Sequence, residues 1–199
     1  MTHEPIVFVV DDDPAVLHFL RGLISSVGLG VKLFDSAQSF LDDYEPGFSG
    51  CLLLDIRMPG MSGLELQREL AARKINLPIV FLTGHGDVQI AVGAMKAGAF
   101  DFVEKPFNNE LLLDVLQKAV AAGLDAEESR SQKAEVEKRV SLLTKRELEV
   151  MNMVVAGETN KGIARQLDIS ERTVENHRSK VMGKMQARSL AELVRMLYP

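Results

Sequence analysis

The sequence predicts an α/β fold, a doubly wound five-stranded parallel sheet, followed by an all-α unit of four helices. Three observations carry this reading. Five short, mostly continuous apolar runs lie at 6–10, 31–34, 51–54, 79–82 and 100–103, the pattern of parallel strands buried on both faces. Helical patterns with their own start signals separate these runs, which gives five β-α units. Beyond residue 141 the strand-like runs stop and only helical periodicity remains. The 199 residues are 46% apolar and 26% charged, enough for two modest cores and too apolar for a disordered chain.

Each element has a local cause. After the first strand, Asp13 caps a helix with Pro14 at its first position, and Val16, Leu17, Leu20, Leu23, Ile24 and Val27 form its apolar stripe. Ser62-x-x-Glu65 is a capping box that opens another helix. Asn108 caps the fifth, which carries Leu112, Leu116, Ala119 and Val120. From 123 to 140 the apolar content collapses into Glu127, Glu128, Arg130, Lys133, Glu135 and Lys138 with no Pro, so a helical connector is expected. Thr144-x-x-Glu147 is a second capping box, and Gly157 ends the helix it opens. A short helix at 160–167, a tight turn at 168–170 and a longer helix capped by Ser170 follow. Ser189-x-x-Glu192 opens the last. Four helices in so short a stretch, with a three-residue turn in the middle, fit a helix-turn-helix. The expected domains are therefore 1–122, a connector at 123–140, and 141–199.

Charge divides the chain in the same way. Residues 1–124 carry a net −7, 125–141 carry −1 and 142–199 carry +3. An acidic front and a basic tail suggest different partners, with nucleic acid the candidate for the tail. The single cysteine, Cys51, excludes a disulfide framework and a cysteine-based zinc cluster. No apolar run approaches the roughly 18 residues of a membrane span, and no basic leader precedes the first strand, so a cytoplasmic setting without membrane contact is expected.

In a doubly wound sheet, ligands bind beyond the carboxyl ends of the strands. Those ends carry Asp11 and Asp12, Asp55, Thr83 and Lys105. Carboxylates converging on one crevice repel each other, and an all-oxygen donor set suits Mg²⁺. Lys105 adds a fixed cation and Thr83 a hydroxyl. The chemistry that fits is phosphoryl transfer onto a carboxylate, with Asp55 attacking in line. Gly60, Gly63 and Gly98 read as turn formers. For His85, two residues past Thr83, a role at this site and an ordinary surface position are both open.

Residues 5–122 resemble the receiver domain of bacterial two-component response regulators. The resemblance rests on Val9-Val10-Asp11-Asp12-Asp13, Leu54-Asp55-Ile56-Arg57-Met58-Pro59-Gly60, Thr83-Gly84-His85-Gly86 and Lys105-Pro106-Phe107. It implies that Asp55 is the phosphoacceptor. It further implies that Asp12, Asp55 and the Arg57 carbonyl ligate Mg²⁺, with Asp11 acting through water, and that the Lys105–Pro106 bond is cis. Thr83 and Phe102 would form the switch that answers phosphorylation.

Residues 141–197 resemble the LuxR-type helix-turn-helix. The carrying segments are Leu143-Thr144-x-Arg146-Glu147, Gly157-Glu158-Thr159-Asn160-Lys161, Leu167-x-Ile169-Ser170-x-x-Thr173-Val174-x-x-His177 and Lys184-Met185. With Gly84-His85-Gly86-Asp87 and Glu104-Lys105-Pro106-Phe107, the FixJ-like branch fits best. Over 160–188 there are seven Lys/Arg against three Asp/Glu. Lys161, Arg172, Thr173, Arg178 and Lys180 are expected at phosphates. Glu175, Asn176 and Ser179 face outward if Val174, Val181 and Met182 face the core, and so lie where base edges should be. Many relatives carry Lys where this chain has Glu175, so their DNA consensus does not transfer. His177 is expected against the scaffold.

These readings converge on a transcription regulator rather than an enzyme. The expected partners are a sensor histidine kinase, double-stranded DNA with an inverted repeat, a second copy of the chain when phosphorylated (through 88–121), and RNA polymerase. A Mg²⁺-dependent phosphohydrolase shares the acid and Lys chemistry, but the short inter-strand segments leave no room for a substrate cap. A phosphorylation-independent scaffold would not need the acid site.

Overall fold

The computed structural model describes residues 4–45, 48–84 and 88–198. The chain divides into two compact units, 1–128 and 129–199. Among the described residues no helix is long and apolar enough to cross a membrane.

The first unit runs β1(Ile6–Val10), α1(Pro14–Ser25), β2(Gly30–Phe34), α2(Ala37–Asp43), β3(Gly50–Asp55), α3(Gly63–Ala72), β4(Ile79–Thr83), α4(Val88–Lys96), β5(Asp101–Glu104), and then enters α5(Asn109–Ser141). The strands form one parallel sheet in the order β2-β1-β3-β4-β5. Successive side chains on a strand point to opposite faces, and the two cores follow that alternation. Phe8, Val10, Leu52, Leu54 and Phe81 pack with Phe40, Leu66, Leu70 and Ala94 of α2, α3 and α4. Val7, Val9, Cys51, Leu53, Val80 and Leu82 pack with Leu20 and Ile24 of α1 and Leu112, Leu116 and Ala119 of α5. Both faces are covered, which is why the strand runs lack alternation. In central β3, burial pushes the Cys51 thiol up to about 12.

The expected starts are present. Asp13 Oδ1 accepts from Ala15 N at 2.8 Å, with Pro14 inside the helix. Ser62 and Glu65 close a reciprocal capping box. Asn108 Oδ1 accepts from Glu110 N and Leu111 N. Residues 123–140, expected as a connector, continue α5 without a break over 33 residues. Strong helix formers and the lack of an internal proline explain the continuity.

The second unit begins within α5 and adds α6(Lys145–Val155), α7(Asn160–Leu167), α8(Glu171–Met185) and α9(Leu190–Leu197). Val150, Val154, Ile163, Ala164 and Val174 form one cluster. Met151, Val181, Met185 and Leu193 form another, against which Val136 and Val140 of α5 pack. Between α7 and α8 the turn needs a left-handed residue, and Asp168 supplies it at φ 52°. Ile169 tucks into the first cluster, and the Ser170 hydroxyl caps α8 by accepting from Thr173 N.

Candidate functional site

Parallel register brings the strand ends together. Val10 pairs with Leu54, so Asp11 emerges beside Asp55. Asp55 pairs with Leu82, so Thr83 comes next, and Thr83 pairs with Glu104, one residue before Lys105. Lys105 N donates to Thr83 O at 2.7 Å, which holds the β5 exit against β4. The Lys105–Pro106 bond is cis.

The side chains then close on each other. Lys105 Nζ donates to Asp11 Oδ2 and to Asp55 Oδ1, both at 2.7 Å. Asp55 Oδ2 accepts from Arg57 N at 2.6 Å, and Asp11 Oδ1 from Asp13 N at 2.9 Å. Asp11 and Thr83 are buried, and Asp55 is 8% exposed. Burial raises the Asp55 pKa above its ordinary value, even though the Lys105 ammonium and the Arg57 amide pull it down. At Lys105, burial pulls the pKa down, but the hydrogen bonds to Asp11 and Asp55 outweigh it and the net shift is upward. The result is a poorly hydrated carboxylate held by one cation at the carboxyl end of the central strand.

Three carboxylates, Asp11, Asp12 and Asp55, are expected at this crevice. Two of them, Asp11 and Asp55, meet through Lys105, while Asp12 is exposed beside them. Among the described residues no three acidic, His or Cys side chains form a ready metal cage. The Lys105 ammonium supplies the positive charge that the buried Asp11 and Asp55 pair requires. The donor set remains suited to Mg²⁺, which takes one or two carboxylates plus carbonyl and water oxygens.

Helix α8 separates into two faces. Val174, Val181 and Met185 are buried, while Arg172, Glu175, Asn176, Ser179 and Lys180 are exposed. Lys161 is exposed in the first turn of α7. Two residues expected at DNA are engaged elsewhere. Arg178 is half-buried and donates to Asn160 Oδ1 at 2.9 Å, because its position on the turn between Val174 and Val181 brings it to the α7 start. The Thr173 hydroxyl lies 2.7 Å from the Ser170 hydroxyl at the helix cap. His177 is half-buried, as expected, and its Nδ1 is buried without a hydrogen-bond partner among the described residues.

Comparison with known proteins matches both units. Residues 7–117 match the response regulator receiver domain, and residues 141–197 match the luxR family of bacterial regulatory proteins. The chain belongs to the response regulators. It is 47% identical to the transcriptional regulatory protein FixJ of Bradyrhizobium diazoefficiens, over 98% of this chain and 96% of that one. It is 46% identical to the response regulator protein TmoT of Ectopseudomonas mendocina, over 97% and 88%. Among solved structures, the response regulator StyR is 45% identical over 98% of both chains with a TM-score of 0.89. Full-length FixJ from B. japonicum is 46% identical over 98% and 96%, with a TM-score of 0.60. This response regulator thus pairs a receiver with a LuxR-type DNA-binding unit and acts in transcription regulation.

In its receiver, Gly63 does more than form the turn that the sequence predicts. Gly60 and Gly98 do have positive φ, at 75° and 92°. Gly63 does not; instead a Cβ there would stand 2.3 Å from Asp55 O. It lets α3 start directly against the end of β3. The only sequence signal was a glycine inside a capping box. Phe102 is 41% exposed and Thr83 is buried, so the two expected switch residues occupy opposite environments. The segment containing His85 lies outside the described residues.

Proposed function

We propose that Asp55 is the single phosphoacceptor, charged by a sensor histidine kinase in the cytoplasm, and that aspartyl phosphate promotes a dimer that reads an inverted repeat. The observation that carries this reading is the Lys105 ammonium bridging Asp11 and Asp55. An Asp55 oxygen attacks phosphorus, the bond from phosphorus to the donor nitrogen breaks, and that nitrogen leaves with the electron pair. The Lys105 ammonium is released from Asp55 Oδ1 to the incoming phosphoryl oxygen, and the Thr83 hydroxyl donates to another. Asp12, Asp55 and the Arg57 carbonyl would hold Mg²⁺, with Asp11 acting through water, and the ion would supply charge neutralisation. As Thr83 engages the phosphoryl group, Phe102 turns inward.

Val92 and Met95 of α4 and Phe102 of β5 are exposed apolar groups within 88–121, which supports that segment as the dimer face. A two-fold dimer presents two α8 helices to two half-sites. Arg172, Lys180 and Lys161 contact phosphates, Glu175, Asn176 and Ser179 face base edges, and RNA polymerase is a further partner on the bound DNA.

The test is incubation with acetyl phosphate and Mg²⁺ followed by intact-mass and sedimentation measurements. Wild-type protein gains one phosphoryl group and dimerises; Asp55→Asn stays folded, unlabelled and monomeric. Wild-type stoichiometry in Asp55→Asn would sink the site assignment. A phosphorylated protein that remains monomeric at high concentration would sink the dimer.

A further inference from the structure

The end of α5 and the end of α8 are tied by reciprocal bonds that neither the phosphorylation chemistry nor the base-reading face uses. Arg139 Nη1 donates to Met185 O, at the last residue of α8, at 3.1 Å. Its Nε donates to Glu135 Oε1 at 3.0 Å, which sets the plane of the guanidinium. In the other direction, Lys184 Nζ of α8 donates to Leu142 O at 3.1 Å and to Glu147 Oε2 at 2.6 Å. Glu147 Oε2 also accepts from Thr144 N at 2.8 Å. Val136, Val140 and Leu143 pack against the cluster that holds Val181 and Met185.

A helix C-terminus leaves its last carbonyls unsatisfied and collects partial negative charge. The Gln186 cap returns its N–H to Gly183 O and Met182 O, so Met185 O is left for another donor. Arg139 is that donor, and its charge has the favourable sign. The side chain is only 20% exposed, as expected for a group built into a corner rather than presented to solvent.

We propose that Arg139 is a positioning residue for DNA recognition: it fixes the C-terminal end of α8, and through the stiffness of that helix sets how Glu175 and Asn176 meet the groove. The family match of the DNA-binding unit begins at residue 141, so this contact comes from the α5 extension of this chain. The inference rests on α8 being the recognition helix. It differs from a phosphate contact, because the guanidinium already directs two of its N–H groups at Glu135 and Met185.

The experiment uses the full chain and a duplex selected from a random pool by the wild-type protein, with affinity measured across a salt series. Arg139→Ala should weaken binding about tenfold at fixed salt with the salt slope unchanged. Amide exchange should quicken over 182–186 while 190–197 keep their protection. Arg139→Lys, which keeps the charge but has a single donor nitrogen, should recover part of the loss. Lys138→Ala removes the same charge from the same turn and should change neither readout. Unchanged affinity and exchange in Arg139→Ala would overturn the proposal. So would a salt slope lowered by about one unit, which would make Arg139 a phosphate ligand. If Arg139→Ala loses the fold of the unit, Arg139→Gln is read against the same criteria. The recognition-helix reading fails on a separate observation, a base-preference profile untouched by Glu175→Ala, which leaves the exchange result standing.

Discussion

Asp55 owes its position to Gly63 as much as to its own strand. With 2.3 Å between a hypothetical Cβ and Asp55 O, even a methyl group forces the start of α3 away from β3. Gly63→Ala should cost about 1–3 kcal/mol, the usual penalty for overpacking a tight contact. It should also slow phosphoryl uptake from acetyl phosphate, because the displaced backbone carries Asp55, the proposed nucleophile. Gly93→Ala is the contrast. Nothing lies within 4 Å of a Cβ there, so the substitution in α4 should be neutral or stabilise by up to about 1 kcal/mol. Denaturant midpoints for the two variants decide the matter: equal effects would show that the close approach is not a constraint.

At the scale of elements, α8 offers the sharpest test. Lys180 is exposed on the face that carries Glu175 and Asn176. Lys180→Ala should weaken binding to all sequences alike and lower the salt slope by about one unit. Glu175→Ala should instead relax preference at one base pair, by about 1–3 kcal/mol. Single-base variants of a selected site at fixed salt separate these outcomes, and an unchanged profile for Glu175→Ala would discredit the face. The elements themselves were legible in the sequence because their signals are local: Asp13-Pro14, three capping boxes and apolar runs of strand length. The meeting of Asp11, Asp55, Thr83 and Lys105 was legible too, since parallel register fixes which strand ends adjoin. What stayed hidden were the contacts that long side chains make across elements of the second unit. Arg178 is cationic on a basic helix, and no periodicity reveals that Asn160 takes its hydrogen bond. Arg139 sits in a polar run that reads as solvated surface, yet it closes onto a carbonyl 46 residues away.

Two of the buried carboxylates among the described residues, Asp55 and Glu147, respond oppositely to acid, one in each unit. Lys184 and the Thr144 amide hold Glu147 down to about 2, below its ordinary value of 4.5. The stability it lends is therefore complete above about pH 4.5 and is lost as pH falls toward 2. Asp55 is shifted the other way by burial, from an ordinary 3.8. Its contribution is greatest below pH 3.8 and is lost as pH rises through its folded value. As pH falls from 4.5 toward 2, the DNA-binding unit should lose the share of its stability that Glu147 lends. Glu147→Gln should flatten the pH dependence of that unit, while Asp55→Asn should raise the receiver transition at neutral pH and bring no gain in acid. Calorimetric scans of the wild-type chain and both variants across the pH range are the test, and a DNA-binding unit indifferent to pH between 4.5 and 2 would refute the Glu147 assignment. The lone Cys51 gives the same molecule a built-in reporter. A thiol with a pKa near 12, sealed at the centre of the sheet four residues before Asp55, reacts with an alkylating reagent only when the receiver opens. The other unit has no cysteine and stays silent. The alkylation rate of the unmodified protein thus measures how often the phosphoacceptor domain breathes, and comparing that rate with and without a phosphoryl donor tells how far phosphorylation tightens it.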